Sequence, residues 1–255
     1  MKSSDLPRVG AMLSGCFEPE LRPYLTYAQH GIKTFLEVHL VYPESFPGKL
    51  YYVATDADDL VIGFAEFRLN AANVGFLSYI CVADHARGLG VATSLIEHFV
   101  LLHGRVERLE LDVFHDNLPA LRLYEKLGFT HHSKNVWLRR HLPLPSTALS
   151  LSHIPVSAAT HAAYGFCELQ VEWQDQDVRL GRIGANVLRC FDLRSFNDDD
   201  LLASAKATFA SLTEALTILP LGEVAPFPPE TVTVTLSNRM VKILDGKTNA
   251  SGHQI

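Results

Sequence analysis

The chain has 255 residues, 47% of them apolar and 20% charged, which suffices for a buried core and disfavours disorder away from the ends. Its net charge of −6 divides as −2 over residues 1–150 and −4 over the rest, so neither part is the basic module that nucleic acid would need. No stretch approaches the roughly 20 apolar residues that cross a bilayer, and the first ten residues lack the apolar run of a secretory signal. Cys16, Cys81, Cys167 and Cys190 show no CxxC or Cys/His spacing for zinc. The expectation is a cytoplasmic protein with no metal, no nucleic-acid partner and no membrane partner.

Leu6, Val9, Leu13 and Phe17 recur at helical spacing, and Asp5 with Pro7 behind it makes a helix start. A second helical stretch is expected over 21–41. Two prolines and a glycine within 42–48 then break it. Strands are predicted over 50–55, 60–69 and 74–82, the first two joined by a turn at Asp56-Ala57-Asp58-Asp59. A loop with two glycines, 84–90, leads into an amphipathic helix whose stripe is Val91, Leu95, Ile96, Phe99 and Leu102. Residues 109–114 alternate apolar with acidic and read as a strand. Residues 117–127 read as a short helix, closed by Gly128 at a left-handed cap, before a last strand over 129–139.

The composition changes near Arg140. Three prolines among Ser and Leu mark 141–157 as a linker. Beyond it, strands are expected over 165–173 and 178–192. A helix over 198–218 opens on Asp198, Asp199 and Asp200 at its positive end. A proline-rich connection, 220–229, precedes a strand or hairpin over 231–244 and a frayed polar tail, 245–255. The domains are therefore set at 1–140 and 158–255, the second an α+β domain.

The run most informative for chemistry is Leu77-Ser78-Tyr79-Ile80-Cys81-Val82-Ala83-Asp84-His85-Ala86-Arg87-Gly88-Leu89-Gly90-Val91-Ala92. It is an apolar strand, a glycine loop and the start of a helix. Backbone N–H groups at such a helix start, with the helix dipole, bind a pyrophosphate, although the same glycines also suit a plain tight turn. The loop lacks the third glycine of G-x-G-x-x-G, and three meander-like strands precede it, which disfavours a dinucleotide-binding βαβ unit.

Arg87-Gly88-Leu89-Gly90-Val91-Ala92 resembles the (Arg/Gln)-x-x-Gly-x-(Gly/Ala) signature of the GNAT superfamily of acyl-CoA N-acyltransferases. Asp84 stands where that family commonly has proline. Downstream, Asn117-Leu118-Pro119-Ala120-Leu121-Arg122-Leu123-Tyr124-Glu125-Lys126-Leu127-Gly128-Phe129 resembles its second hallmark, N-x-x-A-x-x-x-Y-x-x-x-G-F. The two occur in the family's order, and the resemblance covers about residues 5–140. It implies an α+β fold with a mixed, mostly antiparallel central sheet flanked by helices. The smaller α+β domain that follows reads as a degenerate GNAT-like half.

The resemblance also implies roles. Backbone amides of Arg87, Gly88, Leu89, Gly90, Val91 and Ala92 would hold the pyrophosphate of acetyl-CoA, the cosubstrate. The strand at Ile80, Cys81 and Val82 would splay from its neighbour and hydrogen-bond the pantetheine arm. Asn117 would touch the same arm, cap its helix, or do both. Tyr124 would be the general acid that protonates the leaving sulfur, or else a packed aromatic. Glu66 is the best-placed carboxylate for the base, with a structural pairing as its other reading. Tyr24, Tyr27, Phe35, Tyr42 and Phe46, with Glu37 and Glu44, would border an amine acceptor.

The family's first strand has no counterpart before Asp5, so residues 231–244 are expected to cover the open sheet edge. The connection 192–198 lacks glycine and leads into aspartates, so no second CoA site is expected. The C-terminal domain would instead shape the acceptor pocket, brace the sheet or form a homodimer surface. The function expected is an N-acetyltransferase acting on a primary amine, a small molecule favoured over a protein. The alternative is a non-catalytic acyl-CoA-binding regulatory module.

Overall fold

Aromatic and β-branched residues build β1 (Lys49–Thr55), β2 (Val61–Leu69) and β3 (Val74–Val82), which pair antiparallel in chain order in the computed structural model. The structure describes residues 1–147, 149, 154–222 and 227–244. These form two compact units. One comprises Met1–Met12, His39–Ser133 and the chain from Asn238, and the other comprises Leu13–Val38 and Lys134–Ser237.

In the first unit, α3 (Val91–Leu102) connects β3 to a parallel neighbour, β4 (Arg108–Phe114). α4 (Leu118–Lys126) then leads to β5 (Thr130–His141). The strand order is β1-β2-β3-β4-β10-β5, with β10 (Val232–Ile243) present through its C-terminal half. The apolar stripe of α3, Val91, Leu95, Ile96 and Phe99, packs on Ala65, Phe67 and Leu77 of the sheet. Phe67 and Phe99 lie stacked, 4.0 Å between centroids, and both are fully buried. Gly63 lets the helix settle there, because a Cβ at that position would fall 2.5 Å from Val91 Cγ1.

In the second unit, β6 (Phe166–Trp173), β7 (Gln176–Ile183) and β8 (Val187–Cys190) form an antiparallel meander. α6 (Leu193–Asn197) and α7 (Asp199–Thr208) then cross to β9 (Glu214–Pro220), which runs parallel to β8 and antiparallel to β5. The connection order of the first unit therefore recurs: three antiparallel strands, a helical crossover, then a parallel strand. Leu180, Leu188, Phe196, Leu201, Leu202 and Ala215 form its core.

Several expectations need correction. Residues 21–41 do not make one helix. Pro23 and Gly31 limit the first part to short 3-10 turns, and α2 (Ile32–Val41) starts after Gly31. The helix expected over 198–218 stops at Thr208, and Glu214–Pro220 is a strand. Its apolar residues are buried on both faces, which is the case in which periodicity fails to separate strand from helix. The strand expected over 178–192 is two strands, divided at Gly184 with φ +58°. α5 (Ile154–Tyr164) takes up the end of the expected linker, whose residues 148 and 150–153 lie outside the described ones. Part of the expected connection at 220–229, residues 223–226, and the expected tail at 245–255 also lie outside them. β10 is one strand between β4 and β5, and β1 remains the edge.

Phe99→Ala should lower the stability of the first unit by about 3–5 kcal/mol, because a large ring leaves a fully buried stack. Urea denaturation measures this. A loss under about 1 kcal/mol would mean that the stack does not hold α3 to the sheet.

Candidate active site

β3 and β4 pair from Val74↔Arg108 to Leu77↔Leu111 and no further, although both strands continue. The cause lies one strand over. Glu66 faces Tyr79 while Phe67 faces Leu77, so Ser78 is an extra residue in β3. Such a bulge bends its strand and increases the local twist. From Ser78 to Val82, β3 leaves the line of β4. The result is a wedge whose β3 side carries backbone groups without a ladder partner in β4.

Both lips of the wedge are held by arginines. Arg68 Nε donates to Ser78 Oγ at 2.8 Å. On the other lip, Arg239 of β10 donates to the two Asp112 carboxylate oxygens at 2.6 and 2.8 Å, and to Glu110 Oε2 at 3.1 Å. Asp112 is the first residue of β4 beyond the last rung. Bidentate charge-assisted pairs of this kind are strong and directional. Both guanidiniums lie over the Phe76 ring, at 4.8 and 5.0 Å from its centroid.

Past Val82 the chain makes a 3-10 turn, Asp84–Ala86, and enters the loop Arg87-Gly88-Leu89-Gly90. Gly88 and Gly90 have φ of +78° and +82°, and a Cβ at either would meet open space. Backbone conformation, and not crowding, selects glycine here. Gly90 is the N-cap of α3 and supplies no side-chain cap. The first-turn N–H groups are thus left for an anion, with the helix dipole behind them. The second unit differs at the equivalent point. Asp192 accepts from Ser195 N at 2.7 Å, and Asp198 accepts from Leu201 N at 2.9 Å. Carboxylates there take the place that a phosphate would need.

The remaining sequence-derived residues fall as follows. Ile80, Cys81 and Val82 lie on the stretch of β3 that pairs with β2 and runs past the last rung to β4. Arg87 pairs with Asp84 at 2.8 Å on the exposed loop. Asn117 caps α4, its Oδ1 accepting from Ala120 N at 3.2 Å. Tyr124 of α4 is 5% exposed and edge-on to Phe129. Burial alone pushes its phenol well above the usual tyrosine range, so it stays protonated. Glu66 is 3% exposed. Burial raises its carboxyl to about 7, against the lowering effects of the Arg68 charge and of a hydrogen bond with Ser78. That hydrogen bond joins Glu66 to the residue at which the wedge opens.

The aromatic residues expected to border an acceptor separate into two sets. In the second unit, Phe35 is edge-on to Tyr164 and Phe166, and Tyr24 Oη lies 3.4 Å from both Glu214 carboxylate oxygens. In the first unit, Phe46 lies against the His39 ring at 3.7 Å, and His39 Nδ1 is hydrogen-bonded with Tyr51 Oη. Burial, aided by the Lys49 charge, lowers His39 to about 4, so it is neutral near pH 7. Sequence reasoning did not single out Lys49, Arg68, Ser78 or Arg239. Only Ser78, inside the most informative run, carried any signal. The others become visible once strand register is known. No cluster of three His, Cys, Asp or Glu side chains suited to a metal occurs among the described residues. None of their helices is long and apolar enough to cross a membrane.

Residues 13–129 match the model of the acetyltransferase (GNAT) family. Over 53 residues the chain is 42% identical to the L-amino acid N-acetyltransferase AaaT of Escherichia coli (strain K12), covering 20% of this chain and 33% of that protein. Over 54 residues it is 44% identical to the 5-NmdU N-acetyltransferase of Pseudomonas phage PaMx11, covering 21% and 38%. The chain thus spans little more than a third of the length of these curated relatives. The solved structure of a GCN5-related N-acetyltransferase from Sphaerobacter thermophilus is similar over 95% of this chain and 94% of its own, with a TM-score of 0.58 at 13% identity. That likeness extends the fold, though not the function, over both units.

Glu66 makes a stability test with a definite sign. Its folded value, about 7, lies above the ordinary 4.5, so the carboxylate form is disfavoured in the fold. Stability is then lost as pH rises toward and through 7, by at most about 3 kcal/mol. Glu66→Gln should match the wild type near pH 5 and melt higher at pH 8. Equal melting temperatures at pH 8 would contradict the assignment.

Proposed function

We propose that the protein is an acetyl-CoA-dependent N-acetyltransferase that passes the acetyl group to a primary amine, a small molecule, by direct attack in a ternary complex. The observation that carries this reading is the β3–β4 wedge running toward an uncapped helix start. A flexible arm with amide groups suits a strand edge beyond the last rung to its neighbour, and a pyrophosphate suits uncapped first-turn amides. In this reading the amides of Arg87 to Ala92 hold the pyrophosphate. The backbone of Ile80, Cys81 and Val82 holds the arm. Asn117, its Oδ1 engaged in the cap, offers its side-chain NH2.

The acceptor arrives as an ammonium, and Glu66 takes one proton from it. The amine nitrogen then forms a bond to the thioester carbonyl carbon. As the carbon–sulfur bond breaks, Tyr124 gives its proton to the sulfur and regains one from the new amide nitrogen. Glu66 releases its proton to solvent, so the balance is one amide, one thiol and one proton. A base near pH 7 and an acid that stays protonated match these two tasks. A carboxylate 3% exposed favours a slender amine. The names of the curated relatives, both N-acetyltransferases, agree with the reaction class.

Two measurements test the roles. Tyr124→Phe should lower kcat on the order of 10²-fold while leaving CoA binding intact. Unchanged turnover would remove Tyr124 from the chemistry. The kcat/KM of the wild type should fall about tenfold per pH unit below pH 7, as Glu66 protonates. Glu66→Gln should lose both rate and this limb. A limb that persists in the variant would assign the base elsewhere.

A further inference from the structure

One primary amine already stands before the candidate base. Lys49 Nζ lies 4.0 Å from Glu66 Oε1. Leu69 N donates to Gly48 O at 2.7 Å, which fixes the start of β1 against the end of β2. Lys49 is the register partner of Arg68, so both project from the sheet face that carries Glu66. Arg68 is engaged elsewhere, with its Nε on Ser78 Oγ and its guanidinium over Phe76. The ammonium of Lys49 therefore reaches the carboxylate.

This contact is loose and one-sided. At 4.0 Å it is an ion pair at its outer limit and is too long for a hydrogen bond. The Lys49 side chain is 28% exposed, against 3% for Glu66. Four methylenes give the amine room to swing. Glu66 is in turn hydrogen-bonded with Ser78, where the wedge opens. An acceptor that Glu66 is to deprotonate must bring its ammonium within hydrogen-bond reach of this carboxylate, and a short swing of the Lys49 stem brings Nζ there.

We propose that Lys49 is a self-acceptor, its Nζ acetylated by the same chain's reaction with acetyl-CoA. This rests on the acetyltransferase reading and deepens it, because it identifies the acceptor group as a primary ammonium on an alkyl stem. The step balances as before. Glu66 takes a proton from Nζ, the N–C bond forms, the C–S bond breaks, and CoA leaves as the thiol. The product lacks the lysine charge. Glu66 is then left to an external amine.

The test uses the full chain with acetyl-CoA and no added acceptor. Intact mass spectrometry should show a gain of one acetyl group, and peptide mapping should place it on Lys49, at a rate independent of protein concentration. Lys126 and Lys206, read in the same digest, report spontaneous acetylation, and Lys49 should exceed them at least tenfold. Glu66→Gln and Gly90→Glu should each bring Lys49 down to that background, and Lys49→Arg should abolish the added mass. Modification of Lys49 no faster than Lys126 and Lys206, or unaffected by Glu66→Gln, overturns the proposal. CoA release with added amines is followed in parallel. If release proceeds while Lys49 stays at background, self-acetylation alone falls. If neither occurs in the folded protein, the acetyltransferase reading falls with it.

Discussion

The arrangement depends on one extra residue. Because β3 holds Ser78 where β2 has no counterpart, the strand bends, and its ladder with β4 ends after Leu77↔Leu111. A regular β3 would have continued the ladder and consumed its backbone donors and acceptors in pairing. The bulge ends that ladder without leaving a random edge, because Arg68 holds Ser78 and Arg239 holds Asp112. The same residue is hydrogen-bonded with Glu66, so a single local irregularity both ends the β3–β4 ladder and touches the candidate base.

The two units show how little separates an uncapped helix start from a braced one. Each has an antiparallel meander, a helical crossover and a parallel fourth strand. In the first, glycines at positive φ leave the start of α3 uncapped. In the second, Asp192 and Asp198 fold back on the first-turn amides. An aspartate N-cap contributes about 1 kcal/mol to its helix and satisfies the donors that a phosphate would otherwise take. The second unit thus gains local stability at the position where the first leaves its helix start without a side-chain cap.

Much of this was legible in the sequence, and the rest was hidden for physical reasons. The strand over 74–82, the glycine loop and the helix from Val91 were readable, because turn residues punctuate them and their apolar periods are unambiguous. The resemblance of 87–92 and 117–129 to one family was also readable, and the family model covers both segments. The strand Glu214–Pro220 was not, because residues buried on both faces lose the period-two signature. The bulge at Ser78 was not either. Its register is decided by which residues of β2 and β3 face each other, and no local pattern encodes that. The nearness of Lys49 to Glu66 is likewise a property of pairing between strands.

The central claim is that the cosubstrate lies along the splayed end of β3 and ends at the start of α3. Amide hydrogen exchange, with and without CoA, tests it most directly. On this account CoA slows exchange at residues 78–82 and 88–93 and leaves the capped helix starts at 192–201 unchanged. Protection at 192–201, or binding seen by calorimetry with no protection at 78–82 and 88–93, would contradict it.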